Sequence, residues 1–134
     1  MTEFKVLIAD DNVVIRDGLT ALLNLTDGIR VVGGAANGQE AVETTERLRP
    51  DVVLMDIRMA KLDGVQATRE IKTRFPDVDV IVLTNYDDDE YVFDCLKYGA
   101  SGYLLKDVAP EDLVKAIKSV AQGESLIHPS SRDR

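Results

Sequence analysis

Five short apolar runs, each followed by a stretch with helical spacing, restrict the fold of this chain more than any other feature. The runs are "FKVLIA" (4 to 9), "RVVGGA" (30 to 35), "VVLM" (52 to 55), "DVIVLT" (79 to 84) and "GYLLK" (102 to 106). Ile15, Leu19, Leu22 and Leu23 fall at i, i+4, i+7 and i+8, and Leu113, Ile117 and Val120 at i, i+4 and i+7, so each set forms one apolar stripe on a helix. Weaker patterns of the same kind cover 38 to 48, 64 to 74 and 88 to 98. Asn37 and Asp63 are placed to cap two of these helices, Pro50 and Pro76 follow helix ends, and Pro110 suits a first helical turn. The order is strand then helix, five times. Strands that are apolar on every residue need both sheet faces covered, and helical connections imply parallel pairing through right-handed crossovers. The expected fold is α/β, a three-layer α/β/α sandwich around a five-stranded parallel sheet.

At 134 residues the chain has the size of one domain and should bury roughly two-thirds of its unfolded surface. Composition shifts at "GESLIHPSSRDR" (123 to 134), which is polar and carries His128, the one histidine. The expected organisation is a domain over 1 to 122 and a tail or the start of an interdomain linker over 123 to 134. No apolar run approaches the ~20 residues that cross a bilayer, so no membrane association is expected. The start, "MTEFKVLIADD", carries acids where a secretory leader needs a basic region, which points to the cytoplasm. The single cysteine, Cys95, permits no internal disulfide and reads as a small buried hydrophobe. A net charge of −8 disfavours direct binding to a phosphate backbone.

Parallel open sheets carry their functional groups beyond the carboxyl ends of the strands. There the first run ends in Asp10 and Asp11, the third in Asp56, the fourth in Thr84 and the fifth in Lys106. Each residue alone has an ordinary reading: Asp10, Asp11 and Thr84 could cap helices and Lys106 could be a surface charge. Together, three acids, a hydroxyl and an ammonium on one rim are hard to explain by capping. Crowded carboxylates resist ionisation unless a cation joins them, and an oxygen-only set suits Mg²⁺. With the cation and Lys106 neutralising charge, Asp56 becomes a candidate nucleophile toward a phosphoryl group, whose oxygens Lys106 and Thr84 would hold. The acidic run "DDDE" (87 to 90) reads as first-turn acids that favour a helix dipole.

Other classes fit less well. A flavodoxin-type cofactor module needs a phosphate-cradling loop after the first strand, where "ADDN" stands, and "GGAANG" lacks the middle glycine of the dinucleotide pattern. A phosphatase resembling the haloacid dehalogenases needs a second acid two residues after the nucleophile, and that position is Arg58. A phosphate-independent interaction module on the same fold remains an alternative.

The set "VLIADDN", "DVVLMDIRM", "VIVLT" and "GYLLKD" resembles the receiver domains of bacterial two-component response regulators over about residues 4 to 122. "LTNYDDDEYVFDCLKYGASGYLLKD" followed by "LVKAIKSVAQGE" is similar to the subgroup with a LuxR-type helix-turn-helix effector. The resemblance implies a flavodoxin-like (βα)5 sheet of order 2-1-3-4-5 and a signalling phosphoacceptor rather than a turnover enzyme. It implies that Asp56 is phosphorylated by a histidine kinase, with a small-molecule phosphodonor as a second source, and that Asp11, Asp56 and the main-chain carbonyl of Arg58 bind Mg²⁺ or Mn²⁺, with Asp10 acting through water. Lys106 would contact the phosphoryl group, Thr84 would move toward it, and Tyr103 would turn inward as the switch aromatic. A homodimer would form on phosphorylation through the surface of the last two helices, and DNA would be reached only through an effector outside this chain. Ala60 stands where many relatives carry proline, which suggests a less rigid phosphoacceptor loop, and Asn85 follows Thr84 where small residues are frequent. Arg58 and Tyr86 occupy the two positions that flank the path of attacking water, and their bulk suggests a slowly hydrolysing phosphoryl-aspartate. The tail suggests a receiver separated from its effector.

Overall fold

The computed structural model describes residues 3–85 and 88–123; Tyr86, His128 and the tail from 124 onward lie outside them. The chain runs β1 (Phe4–Ala9), α1 (Val13–Asn24), β2 (Ile29–Ala35), α2 (Gly38–Leu48), β3 (Val52–Asp56), α3 (Gly64–Arg74), β4 (Asp79–Thr84), α4 (Asp89–Lys97), β5 (Gly102–Leu105) and α5 (Pro110–Ala121). All pairs are parallel and the sheet order is β2-β1-β3-β4-β5, the architecture expected from the alternating pattern.

The pleat explains why the middles of the strands are apolar on consecutive residues. On β1, Leu7 and Ala9 point to one face and Val6 and Ile8 to the other. The first face packs against α2, α3 and α4 through Ala41, Val42, Ala67, Ile71, Val92 and Cys95. The second packs against α1 and α5 through Leu23, Leu113, Ile117 and Val120. Of the stripe expected on α1, Leu23 alone is fully buried, while Leu19 only packs at the edge of the core and Ile15 stays exposed.

Local signals set the helix starts. Asn37 accepts from the Glu40 N–H and Asp63 from the Gln66 N–H, and Pro110 occupies the first turn of α5. The cap of α1 is Asn12, whose side chain accepts from Val14 and Ile15, so neither Asp10 nor Asp11 serves that purpose.

Strand register aligns the carboxyl ends. Ala9 pairs with Met55, Asp56 with Leu83, and Thr84 with Leu105. β5 ends one residue before Lys106, but the Lys106 N–H still donates to the Thr84 carbonyl at 2.8 Å. Asp10, Asp56, Thr84 and Lys106 therefore emerge at one rim.

Candidate functional site

The rim gathers charge in a nearly dry setting. Asp56, the last residue of β3, is 5% exposed, and Asp10, just past β1, is 1% exposed. Asp11 beside it is open to solvent. One oxygen from each of the three carboxylates lies within 4.8 Å of the others. Lys106 Nζ stands 2.9 Å from Asp56 Oδ1 and 3.9 Å from Asp10 Oδ2.

The two buried acids are each held by their own loop. The Ile57 N–H donates to Asp56 Oδ1 at 2.9 Å, so two donors fall on the same oxygen. Asp10 Oδ1 accepts from the Asn12 N–H at 2.8 Å, and Arg16 Nη1 donates to the Asp10 carbonyl at 2.6 Å. Asp10 Oδ2 is buried without a hydrogen-bond donor among the described residues. Behind Asp56, Gly64 begins α3, and its N–H donates to the Ile57 carbonyl. A Cβ at Gly64 would run into the main-chain oxygen of Asp56, so that loop closes only over a glycine.

Burial raises the Asp56 pKa above its ordinary value, and the neighbouring charge of Asp10 adds to this; the hydrogen bond from Lys106 opposes both without cancelling them. For Lys106 burial acts downward, but the bond to Asp56 and the charges of Asp56, Asp10 and Asp11 outweigh it, leaving the ammonium harder to deprotonate than usual. A buried orphan oxygen, an exposed acid and a desolvated acid around one point form a hard, oxygen-only donor set. These residues fit a divalent cation that keeps part of its water.

Thr84 is buried on the rim, and its hydroxyl is engaged by residues outside the carboxylate cluster. It donates to the Asn85 carbonyl at 3.0 Å and to Asp88 Oδ2 at 3.2 Å. Arg58 extends its guanidinium to the same acid, with Nε and Nη2 donating to Asp88 Oδ1 at 2.9 and 2.6 Å. Tyr103 is 48% exposed on the outer surface of β5. The structure thus joins Asp10, Asp11, Asp56 and Lys106 in one cluster and ties Thr84 and Arg58 into a second, adjoining group.

That second group contains the residue that sequence reasoning missed. The acids at 88, 89 and 90 look equivalent in sequence, yet Asp89 and Glu90 lie in the first turn of α4 while Asp88 is buried and makes no side-chain cap bond. Its place four residues after Thr84 was the one available signal. Arg16 was also missed, because nothing in the sequence says that its side chain returns to the carbonyl of Asp10.

Comparison with known proteins follows the same lines. The family model described as the response regulator receiver domain matches residues 6–118. The chain is 46% identical to the transcriptional regulatory protein DegU of Brevibacillus brevis, covering 95% of this chain and 54% of that protein. It is 42% identical to the oxygen regulatory protein NreC of Staphylococcus carnosus, covering 93% and 58%. It therefore spans little more than half the length of the curated relatives it matches. Among solved structures, a LuxR-family two-component response regulator from Aurantimonas sp. SI85-9A1 superposes with a TM-score of 0.87 at 27% identity, covering 98% of this chain and 94% of that one. The isolated REC domain of RcsB from Salmonella enterica serovar Typhimurium, solved with phosphomimetic BeF3⁻, gives 0.82 at 27% identity and 98% coverage of both chains.

Proposed function

Because the chain belongs to the response regulator receiver domain family, a family of phosphoacceptor signalling modules, we propose that Asp56 is the residue that takes the phosphoryl group, from a histidine kinase or from a small-molecule phosphodonor. The observation that carries this reading is the environment of Asp56: a desolvated carboxylate with Ile57 N–H and Lys106 Nζ on Oδ1, set against Asp10 and Asp11.

With Oδ1 held, Oδ2 is the oxygen that attacks. It forms a bond to phosphorus while the phosphorus–nitrogen bond of the donor histidine breaks and the electron pair leaves on the imidazole nitrogen. Lys106 balances charge on the transferring oxygens, and Thr84 turns its hydroxyl to the bound phosphoryl group. Mg²⁺, for which Mn²⁺ can substitute, would be held by Asp11, Asp56 and the Arg58 main-chain carbonyl, with Asp10 acting through water, and would supply charge neutralisation to the phosphoryl oxygens. Tyr103 then turns inward, and the surface carrying α4 and α5 becomes a homodimer contact. Residues 1 to 122 form the receiver, and 123 to 134 begin the connection to the rest of the protein. The relatives are named as transcriptional regulators, and we assign the same cytoplasmic output here, with DNA contacted by an effector outside residues 1 to 134. Arg58 and Tyr86 shield the phosphoryl-aspartate from water and make it long-lived; loss of the phosphoryl label within seconds in Mg²⁺ would contradict this.

The test is intact mass after incubation with a small acyl phosphate and Mg²⁺. One phosphoryl adduct that requires the metal and disappears in Asp56→Asn is expected. A folded wild type that takes no adduct would leave the phosphate-independent interaction module as the better reading.

A further inference from the structure

Two loops flank Asp56 at the rim, one leaving β3 and one leaving β4, and they meet on a single carboxylate. Asp88 is 2% exposed. Its Oδ1 accepts Nε and Nη2 of Arg58, and its Oδ2 accepts the Thr84 hydroxyl and the Asn85 N–H, both at 3.2 Å. A carboxylate has about four acceptor positions, and all are in use. Asp88 occupies the N-cap position of α4, yet it makes no side-chain cap bond, so ending the helix is not what its charge does. Burial by itself would disfavour that charge, but the bonds from Arg58, Asn85 and Thr84 outweigh it and keep the acid ionised to lower pH than usual. The Arg58 guanidinium also lies 5.9 Å from the ring centre of Tyr91 on α4, so one side chain connects the phosphoacceptor loop to a helix of the proposed dimer surface.

We propose that Asp88 is a positioning residue, a latch that engages the Thr84 hydroxyl in the unphosphorylated protein and sets the free energy at which Thr84 is released. The inference rests on the reading of Asp56 as phosphoacceptor and of Thr84 as the hydroxyl that joins the phosphoryl group. That hydroxyl has one proton to donate. At rest the Asn85 carbonyl at 3.0 Å and Asp88 Oδ2 at 3.2 Å share it, and the phosphoryl oxygens compete with both, so the charged acceptor adds to what the phosphoryl state must overcome. When Thr84 leaves, Arg58 still pairs with Asp88, so no buried charge is left uncompensated. The resting arrangement can therefore be regained when the phosphoryl group is lost.

The test uses beryllofluoride as a stand-in for the phosphoryl group, with its affinity measured in Mg²⁺ for wild type, Asp88→Asn, Thr84→Ala and the double variant. Asparagine keeps the shape and removes the charge. It is expected to tighten beryllofluoride binding about tenfold, the worth of a single hydrogen bond to a charged acceptor, and this gain should vanish in the Thr84→Ala background. An unchanged or weaker affinity in Asp88→Asn, or an equal change in both backgrounds, would mean that Asp88 supports the loop without opposing the switch, and the latch would be overturned. If Asp88→Asn does not fold, Arg58→Met tests the latch with the opposite sign: a carboxylate stripped of its two arginine donors holds the Thr84 hydroxyl more tightly, so beryllofluoride binding should weaken, the loss should vanish in the Thr84→Ala background, and a gain or an equal loss in both backgrounds would overturn the latch. Failure of the wild type alone to bind beryllofluoride and to take an acyl-phosphate adduct would instead overturn the phosphoacceptor reading on which the latch rests.

Discussion

Asp56 and Asp88 are both carboxylates sealed from solvent, and burial pushes both toward the neutral form. Their partners decide the outcome. Asp88 has an arginine, a hydroxyl and a backbone N–H, and stays well ionised; Asp56 has Lys106 and the Ile57 N–H but faces Asp10, and its pKa is raised. Neither outcome could be read from the letters, because "VVLMD" and "DDDE" say where an acid stands in the chain and nothing of which donors return to it. Cys95 is the opposite case: its apolar setting was plain in sequence, and it is buried. Burial is the largest cause of its pKa rising from 9.0 to about 11. The unfolded thiol therefore ionises first as pH rises. Any stability from keeping the thiol neutral is fully present below pH 9.0 and lost progressively toward about 11. Between pH 8 and 10, wild type should lose about 1 kcal/mol more unfolding free energy than Cys95→Ala, as measured by urea titration at each pH. Gly64 gives a steric prediction. Gly64→Ala drives a Cβ against the Asp56 carbonyl and should cost about 2 kcal/mol of stability, with slower adduct formation by mass, because the loop must shift the phosphoacceptor to admit the methyl group.

Elements were easier to read than residues, because strand and helix periods repeat over many positions and survive local exceptions. The bounds of α2 and α3 follow from Asn37 and Asp63 as caps and from Pro50 and Pro76 beyond the ends. What the period could not show is how deeply a stripe is covered. On α5 Leu113, Ile117 and Val120 are all buried; on α1 the same spacing buries only Leu23, with Leu19 partly covered and Ile15 exposed. Leu23→Ala should therefore cost about 3 kcal/mol and Ile15→Ala less than about 1 kcal/mol, a contrast that denaturant unfolding of the two variants would measure. α4 carries a different exposure: Phe93 is 68% exposed, with Tyr91 also on the surface. If α4 belongs to the phosphorylation-dependent dimer surface, Phe93→Asp should leave the phosphoryl adduct intact and abolish the gain in mass by light scattering. Dimers of the phosphorylated variant equal to those of wild type would exclude α4 from that contact.

At the scale of the whole molecule, the fold concentrates part of a net charge of −8 at a single rim, where three acids face one ammonium. That arrangement was legible because parallel topology and flush strand ends leave a single place for the polar residues that follow the apolar runs. The cost of the crowding is shared by the whole fold, since the strands that carry the acids are also its core. A cation bound there only in the native state should therefore raise global stability by mass action, by about 1.4 kcal/mol when Mg²⁺ exceeds its dissociation constant tenfold. For a domain of this size that is a rise in melting temperature of about 5 °C. General screening of an acidic protein would also stabilise it, so the comparison must be with NaCl at equal ionic strength, under which Mg²⁺ should retain most of its effect. Asp11→Asn removes an exposed carboxylate with little bearing on the core and should abolish the Mg²⁺-specific increment while leaving the NaCl response in place. An increment that persists in Asp11→Asn would place the cation elsewhere on the acidic surface and remove Asp11 from the metal site.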